Sequence, residues 1–368
     1  MLDLVIKNGK TIDHKSIEIG INSGKIVSLS RKIATPGRKE IYLSENQYIS
    51  AGWIDDHVHC YEKMDLYYDY PDEIGVSKGV TTIIDAGTTG AGNISDFYQI
   101  SKNLKTNIFA LLNISNQGII KQNELSDLST INEEAVNHVI SKYPQFIVGI
   151  KARMSKSVVG SNDIKPLQLA KKIQTKNNNL PLMVHIGSEP PKLSEILSYL
   201  DKGDILTHCF NGKSNGILNQ LTKSIKKCAW DAYEKGIIFD IGHGTDSFNF
   251  EVAEIAMKEG LKANSISTDI YIRNRLNGPV FDLSTTMEKL RAIGYSWEEI
   301  IEKVTKTPAN NFQLKNKGYL LEGFDADMTI FEFVNKKKIL VDSNGVRRTT
   351  NQQIQPIKTI IGGKVYDN

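Results

Sequence analysis

The chain has 368 residues, a length that favours one large domain with a smaller one attached. It is 40% hydrophobic and 24% charged, and its net charge of +3 comes from interspersed Lys and Glu, which gives no argument for nucleic acid or an anionic membrane as partner. The three cysteines are odd in number and widely spaced, no apolar run approaches membrane-spanning length, and the first residues lack a signal-peptide pattern. We therefore expect a soluble, cytoplasmic protein without a disulfide framework.

Both ends of the chain are rich in short strands. Residues 4–7, 16–19 and 25–29 are β-type runs separated by the turn signals Asn8-Gly9 and Asn22-Ser23-Gly24. Residues 327–331 and 357–366 are again β-rich with glycine turns. This pattern predicts one small β-sandwich domain built from both termini, over residues 1–50 plus 318–368.

The middle of the chain, residues 51–317, alternates short apolar runs with helical patterns. Capping boxes at 130–133 and 296–299 and a helix-ending Gly260 mark some of the helices. The strand candidates are 54–60, 80–85, 108–113, 146–151, 181–186, 204–208, 236–241 and 265–269. Eight such units predict an α/β fold, a (β/α)8 TIM barrel. A doubly wound open sheet is the alternative, but no glycine-rich phosphate loop follows the first strand.

The first barrel strand carries the motif His57-Val58-His59. Side chains on a strand alternate between its faces, so both imidazoles point to the same side. Histidine is the commonest nitrogen ligand of metals. The motif therefore predicts half of a metal site.

Four other chemically capable residues follow later strands. They are Lys151 after strand four, His185 after strand five, His208 after strand six and Asp269 after strand eight. The active site of a TIM barrel lies at the carboxyl ends of its strands. Because all of these residues occupy that position, we interpret them with His57 and His59 as one metal centre.

This set of residues resembles the amidohydrolase superfamily over nearly the whole chain, including the late Gly323-Phe324-Asp325-Ala326-Asp327 before a strand. The resemblance implies that His57, His59 and Asp269 hold one metal ion and that His185 and His208 hold a second. It also implies that Lys151, carboxylated by carbon dioxide, bridges the two. Nearby cations disfavour the ammonium form of a lysine, which leaves an amine able to form that carbamate. Zinc suits the donor set best, with iron, cobalt or manganese as alternatives.

The expected chemistry is hydrolysis of an amide, a cyclic amide or an ester. A water shared by two cations becomes hydroxide near neutral pH and attacks a carbonyl carbon. Asp269 would take the proton as catalytic base and pass it to the departing amine or alcohol. A metal-dependent lyase or isomerase on the same barrel stays open as an alternative.

Three groups of relatives compete on substrate. Adenine deaminases do not use the bridging lysine, and dihydroorotases carry an arginine two residues after the H-x-H motif, where this chain has Tyr61. Deacetylase-like amidohydrolases resemble it further, at residues 207–212, 240–244 and 277–283. The resemblance implies a small N-acyl or O-acyl 2-substituted acid as substrate; a cyclic amidohydrolase and an adenine deaminase are the alternatives.

Several residues near the strand ends are candidate substrate contacts. Arg153, two residues after Lys151, is placed to bind a carboxylate, and His243 and Gly244 end strand seven beside the metals. Tyr61 follows the first motif and is expected to line the pocket, with Arg273 and Arg275 as further carboxylate ligands. The expected partner is a small molecule, and a homo-oligomer is compatible with the chain.

Overall fold

The computed structural model describes residues 1–368. The strands in chain order are β1 (Leu2–Lys10), β2 (Ser16–Asn22), β3 (Lys25–Ser30), β4 (Gly37–Tyr42), β5 (Gln47–Ala51), β6 (Trp53–Val58), β7 (Val80–Ala86), β8 (Asn107–Asn113), β9 (Ile147–Met154), β10 (Leu182–Ile186), β11 (Ile205–Thr207), β12 (Leu218–Asn219), β13 (Ser224–Ile225), β14 (Ile238–Phe239), β15 (Met328–Val334), β16 (Lys338–Val341), β17 (Arg347–Thr350), β18 (Gln353–Ile361) and β19 (Lys364–Asp367). The α-helices are α1 (Pro71–Ile74), α2 (Ile94–Ser101), α3 (Glu133–Lys142), α4 (Lys156–Val159), α5 (Lys165–Lys176), α6 (Leu193–Tyr199), α7 (Lys227–Lys235), α8 (Phe250–Glu259), α9 (Ile272–Asn277), α10 (Leu283–Ala292), α11 (Trp297–Lys303) and α12 (Lys306–Asn311). None of them is long and apolar enough to cross a membrane.

The two ends of the chain form two four-stranded sheets with a common core. One has the order β3-β2-β1-β4, and the other, β19-β18-β15-β5, combines strands from both ends. Alternate apolar side chains of the two sheets, such as Ile6 and Ile19 in the first and Met328 and Ile360 in the second, belong to one buried cluster. This contact follows from the period of two in a strand, which places every second residue on one face.

The turn signals in this region have different outcomes. Asn22-Ser23-Gly24 connects β2 to β3, with positive φ at Ser23 (49°) and Gly24 (75°), as tight hairpins require. The turn predicted at Asn8-Gly9 is wrong: β1 continues through it to Lys10. The register of the β1–β2 pair shifts there instead, so the extra residue forms a β-bulge.

The middle of the chain forms a curled parallel sheet of seven strands, in the order β14-β11-β10-β9-β8-β7-β6. Seven of the predicted strands therefore exist and are neighbours in chain order. The predicted eighth strand, 265–269, forms no continuous ladder, and the backbone of Asp269 at its end turns into the left-handed region (φ 50°). Two isolated parallel bridges, Asp240 to Ser265 and Val58 to Ile270, place this segment between the two edges of the sheet.

Apolar side chains fill the amino-terminal half of the sheet interior. Ile54, Ile84, Leu111 and Met183 form a buried cluster there, and Phe312 after α12 packs against it. A larger cluster lies between the strands and the surrounding helices. Because apolar side chains fill the amino-terminal end, the polar side chains inside the sheet that form the site lie at its carboxyl edge.

Helix ends explain where the connecting segments turn. Ser296 and Glu299 form the predicted capping box of α11, and Gly260 ends α8 with a positive φ. The capping box predicted at Thr130 is wrong, because α3 begins at Glu133. Its cap is Asn132, whose side chain accepts the N–H of Ala135 at 3.0 Å.

Candidate metal centre and active site

His57, His59 and Asp269 come together at the carboxyl edge of the sheet. Oδ1 of Asp269 lies 3.1 Å from Nε2 of His59 and 3.4 Å from Nε2 of His57. One ligand atom from each of the three residues falls within 4.8 Å of the others. Both histidines are buried, so these nitrogens and the carboxylate share one enclosed space.

Each histidine of the motif contacts a threonine through Nδ1, the ring nitrogen on the side away from the shared space, and an aspartate accepts from that threonine. Nδ1 of His57 lies 2.8 Å from Oγ1 of Thr207, whose hydroxyl donates to Asp240 at 2.7 Å. Nδ1 of His59 lies 2.8 Å from Oγ1 of Thr88, which donates to Asp85 at 2.7 Å. A hydroxyl has one proton, so each threonine accepts the Nδ1–H of its histidine. Both Nε2 lone pairs therefore face the shared space, in the tautomer that binds metal.

His185 and His208 form a second pair beside the first. Nε2 of His208 lies 2.8 Å from Nδ1 of His185, and Nδ1 of His208 lies 2.6 Å from the carbonyl oxygen of Gly242. His208 has a positive φ of 65°, an uncommon conformation that directs its side chain inward. Burial, followed by nearby positive charge, lowers the pKa of His185 and of His57 well below the ordinary value. These imidazoles are neutral at pH 7, as ligands must be.

Lys151 lies in the same space. It is buried, and its Nζ lies 3.1 Å from Nε2 of His57 and 3.1 Å from Sδ of Met183. Burial is the main cause that lowers its pKa to about 7. A large fraction of this lysine is therefore a neutral, nucleophilic amine at physiological pH. Strand β9 continues beyond it to Met154, so Lys151 stands inside the strand and not at its end as predicted.

The donor set fits divalent cations. Lys151 lies beside His57, and the ring of His208, which contacts His185, is centred 5.2 Å from that of His57, so four imidazoles, one carboxylate and one amine lie close together. Cys60 and Cys209 form no part of this cluster. Nitrogen and oxygen donors of this kind suit zinc and its neighbours. The arrangement is compatible with metal binding.

A small cavity of about 110 Å³ opens next to these groups. Arg153 is almost completely buried in its wall, where Nη1 bonds both oxygens of Glu124 at 3.1 Å and the guanidinium lies 5.6 Å from the ring of Tyr67. The Nε and Nη2 groups of Arg153 form no hydrogen bond with the protein. The lining residues are His59, Tyr67, Gln122, Arg153, Ser155, Ser157, His185, Lys213, Thr245, Asp246, Ser247, Asp269 and Tyr271.

Gly244, expected as a substrate contact, lies against Asp269. Its φ is 55°, and a Cβ added there would overlap Oδ2 of Asp269. The neighbouring His243 does not line the cavity. Its Nδ1 bonds the carbonyl of Gly244, and its Nε2 accepts from the buried Nζ of Lys289 at 2.7 Å. The substrate contact expected of His243 is therefore corrected: its side chain lies outside the cavity, between Gly244 and Lys289.

The remaining candidates also lie outside the cavity. The hydroxyl of Tyr61 donates to Asp96 at 2.8 Å, so its expected role in the pocket is corrected. Arg275 forms a bidentate pair with Asp69 at 2.8 Å, and Arg273 is exposed. Tyr61 and Arg275 already have partners, Arg273 faces solvent, and none of the three lines this cavity.

Sequence reasoning missed four residues that matter at the site: Thr88, Thr207, Tyr67 and Lys213. Thr207 directly precedes His208, and Lys213 follows it by five residues, so proximity to a predicted ligand was the available signal. Thr88 bonds a histidine 29 positions away, and no sequence pattern marks such a pair.

Comparisons with known proteins show the family of the chain. A family model described as a deacetylase-like composite domain matches residues 320–367. A deacetylase from Enterococcus faecalis is 62% identical over 366 residues, covering 100% of this chain and 99% of that protein. A deacetylase from Brucella anthropi is 36% identical over 348 residues, covering 93% and 85%.

Solved structures show the same fold. A crystal structure described as an adenine deaminase is 62% identical, with a TM-score of 0.99 and complete coverage of both chains. One described as a dihydroorotase is 33% identical, with a TM-score of 0.91, covering 100% of this chain and 99% of that one. The fold and these relatives define a hydrolase of the amidohydrolase superfamily that acts on C–N bonds. Within it, the chain belongs to the deacetylase-like family.

Proposed function

We propose that this protein is a metal-dependent deacetylase that hydrolyses N-acyl or O-acyl derivatives of small 2-substituted carboxylic acids. The observation that carries the proposal is the full-length similarity to curated deacetylases, at 62% and 36% identity. The meeting of His57, His59, Lys151, His185, His208 and Asp269 in one buried space supports it. A cavity of about 110 Å³ favours a small substrate.

We propose that two divalent ions, zinc for preference, occupy the centre. His57, His59 and Asp269 would hold one, His185 and His208 the other, and carboxylated Lys151 would bridge them. When bound, such ions acidify a shared water and polarise the substrate carbonyl. The neutral fraction of Lys151, whose pKa is about 7, adds its amine to carbon dioxide and loses a proton to form the carbamate.

Asp269 is the proposed proton carrier. Oδ1 lies 3.1 Å from Nε2 of His59, and Oδ2 faces the side of Gly244 where no side chain intervenes. As the water oxygen bonds the acyl carbon, Oδ2 takes the water proton. It returns that proton to the nitrogen or oxygen of the leaving group when the acyl bond breaks. Burial would raise the pKa of Asp269, but its neighbours, His59 and Lys151 among them, lower it, so the carboxylate stays ionised as a base.

Arg153 is the proposed ligand of the substrate carboxylate. Glu124 occupies only its Nη1, so Nε and Nη2 are free to bind a second anion side by side. The pair with Glu124 also fixes the plane of the guanidinium before substrate arrives. A neutral substrate such as adenine would leave these two donors without a partner.

Deamination of adenine is the second candidate, because a structure with 62% identity is described as an adenine deaminase. A cyclic amidohydrolase is less favoured, since Cys60-Tyr61 replaces the arginine expected there in a dihydroorotase. The buried Lys151 and the partly unpaired Arg153 favour the deacetylase over the deamination of adenine.

A substrate panel tests the proposal. N-acetyl and O-acetyl 2-amino and 2-hydroxy acids of both hands would be assayed with adenine and dihydroorotate, with acetate and ammonia release measured separately. We expect acetate release with kcat/KM of about 10⁴ M⁻¹ s⁻¹ or more for at least one acid. Faster ammonia release from adenine, or ring opening of dihydroorotate, would replace the proposal by that alternative.

We also propose the domain boundaries. Residues 1–50 and 318–368 form a composite β-sandwich domain, and residues 51–317 form a TIM barrel in which 265–269 serves as the eighth strand. The shared cluster of the two terminal sheets supports the first part. The two bridges from 265 and 270 to opposite edges of the sheet support the second.

A further inference from the structure

One cationic side chain in the wall of the cavity has no anionic partner in the protein. Lys213 lines the cavity and is half-buried, and its Nζ forms no hydrogen bond or ion pair. The other cation, Arg153, is already compensated by Glu124 at 3.1 Å. A cation that faces a cavity without an anionic partner is placed to bind an anion that a ligand supplies.

The backbone holds Lys213 in place relative to the metal centre. The side chain of Asn211 accepts the N–H of Lys213 at 3.0 Å and donates to the carbonyl of His208 at 2.8 Å. The carbonyl of Lys213 in turn accepts from Gly216 at 2.9 Å. Asn211 is itself buried, so this loop is fixed to the residue that bears a candidate ligand.

The carboxylates around the cavity do not neutralise Lys213. Glu124 is paired with Arg153, and Asp269 lies 3.1 Å from Nε2 of His59 and forms no ion pair with Lys213. Asp246 also lines the cavity, but it is exposed and forms no ion pair with Lys213.

We propose that Lys213 is a specificity-determining residue that binds the carboxylate of the substrate together with Arg153. This inference rests on the proposed function and adds a second cation to it. Lys213 approaches from the loop that follows β11 and Arg153 from β9, so the carboxylate would be held between two cations on opposite sides. Two cations bind an anion at low cost because their positions are set before binding.

The test compares an acid with its neutral counterpart. Wild type and Lys213→Met would be assayed on the best N-acetyl amino acid of the panel and on the carboxamide of the same compound. We expect the ratio of kcat/KM for acid to kcat/KM for carboxamide to fall about 10- to 100-fold, the size of a charge-assisted hydrogen bond, mainly through KM. Lys213→Arg should keep the ratio within a few-fold, because it retains the charge.

Lys192→Met is the matched control. This lysine is exposed, precedes α6 and does not line the cavity, so the ratio should equal that of wild type. An equal loss on both substrates in Lys213→Met, or no loss on either, overturns the inference. Circular dichroism of each variant detects a loss of folding. If Lys213→Met does not fold, the ratio of acid to carboxamide in Lys213→Arg, compared with wild type, tests the inference.

A binding experiment separates this inference from the proposed function. Lactate and its neutral analogue lactamide would be titrated calorimetrically into protein purified without chelator. Binding of lactate that weakens about 10-fold or more in Lys213→Met supports the role of Lys213 even if no acyl compound is hydrolysed. Equal binding to wild type and variant, or no binding of lactate to wild type, overturns it. The substrate panel alone decides the proposed function.

Discussion

Gly244 and Asp269 lie in contact at the centre of the site. A Cβ on residue 244 would overlap Oδ2 of Asp269, and the φ of 55° at Gly244 is in the region where side chains are rarely accommodated. The backbone N–H of Gly244 also bonds the carbonyl of Thr268 at 2.9 Å. The glycine therefore lets the end of strand seven touch the proton carrier without displacing it.

Gly244→Ala should lower turnover about 100-fold while the protein still folds. The added methyl must push Asp269 away from His59, and a displacement of about 1 Å at a catalytic group costs about 100-fold in rate. The measurement is kcat/KM on the best substrate of the panel. Gly260→Ala is the control, since its φ of 94° is equally unusual but nothing lies within 4 Å of its added Cβ. Equal activities in the two variants would contradict this reading of Gly244.

Removing the hydroxyl of Thr207 should weaken metal binding. In Thr207→Val the Nδ1–H of His57 loses its acceptor, and the imidazole is no longer held in the tautomer that presents Nε2. Loss of such a supporting group typically costs 10- to 100-fold in metal affinity. Zinc affinity would be measured by competition with a chromogenic chelator, and Thr88→Val should behave in the same way through His59.

Thr89→Val controls for the threonine substitutions. The hydroxyl of Thr89 is buried and has no hydrogen-bond partner, although it adjoins Thr88. Its removal should leave zinc affinity unchanged, and the free energy of unfolding should stay the same or rise slightly. Similar affinity losses in Thr89→Val and Thr88→Val would show that the effect is one of packing alone.

Lys151→Ala should lose metal and activity together. The truncated side chain cannot carry a carbamate, so we expect bound metal to fall from about two ions per chain towards one. Metal content would be measured by elemental analysis, and added short carboxylates such as propionate should restore part of the activity by taking the place of the carbamate. Lys289→Met removes another buried lysine and should retain both ions. Full metal content in Lys151→Ala would contradict a bridging role.

Much of the fold was predictable because strand and helix periods are local properties of the chain. Seven of the eight predicted barrel strands correspond to β6–β11 and β14, and His57 and His59 share a face as alternation requires. The eighth segment was predicted as a regular strand, but the left-handed backbone of Asp269 interrupts it. That conformation depends on tertiary contacts with Gly244 and the first strand, which no local pattern encodes.

Substrate contacts were less predictable than metal ligands. Tyr61 and His243 stand next to the right residues in sequence, yet Asp96 and Lys289, 35 and 46 positions away, take their polar atoms out of the cavity. Lys213 enters the cavity because Asn211 folds the loop back onto His208. Ligand spacing follows from the repeating strand–helix unit, whereas these contacts follow from the particular course of each loop.

The stability of the protein should rise with pH through the titration of Lys289. Burial, followed by the nearby charge of Lys338, lowers the pKa of Lys289 to about 7, against an ordinary value of 10.5 in the unfolded chain. Between these values the unfolded chain binds more protons than the folded protein, so the free energy of unfolding increases with pH. Below pH 7 both states are protonated, and the cost of the buried ammonium is present in full.

Urea unfolding would be measured from pH 6.5 to pH 9 for wild type, Lys289→Met and, as an exposed control, Lys192→Met. The stability of wild type relative to Lys289→Met should increase by about 2 kcal/mol between pH 7 and pH 9. A constant difference across this range would mean that Lys289 keeps its proton while buried between His243 and the carbonyl of Pro279.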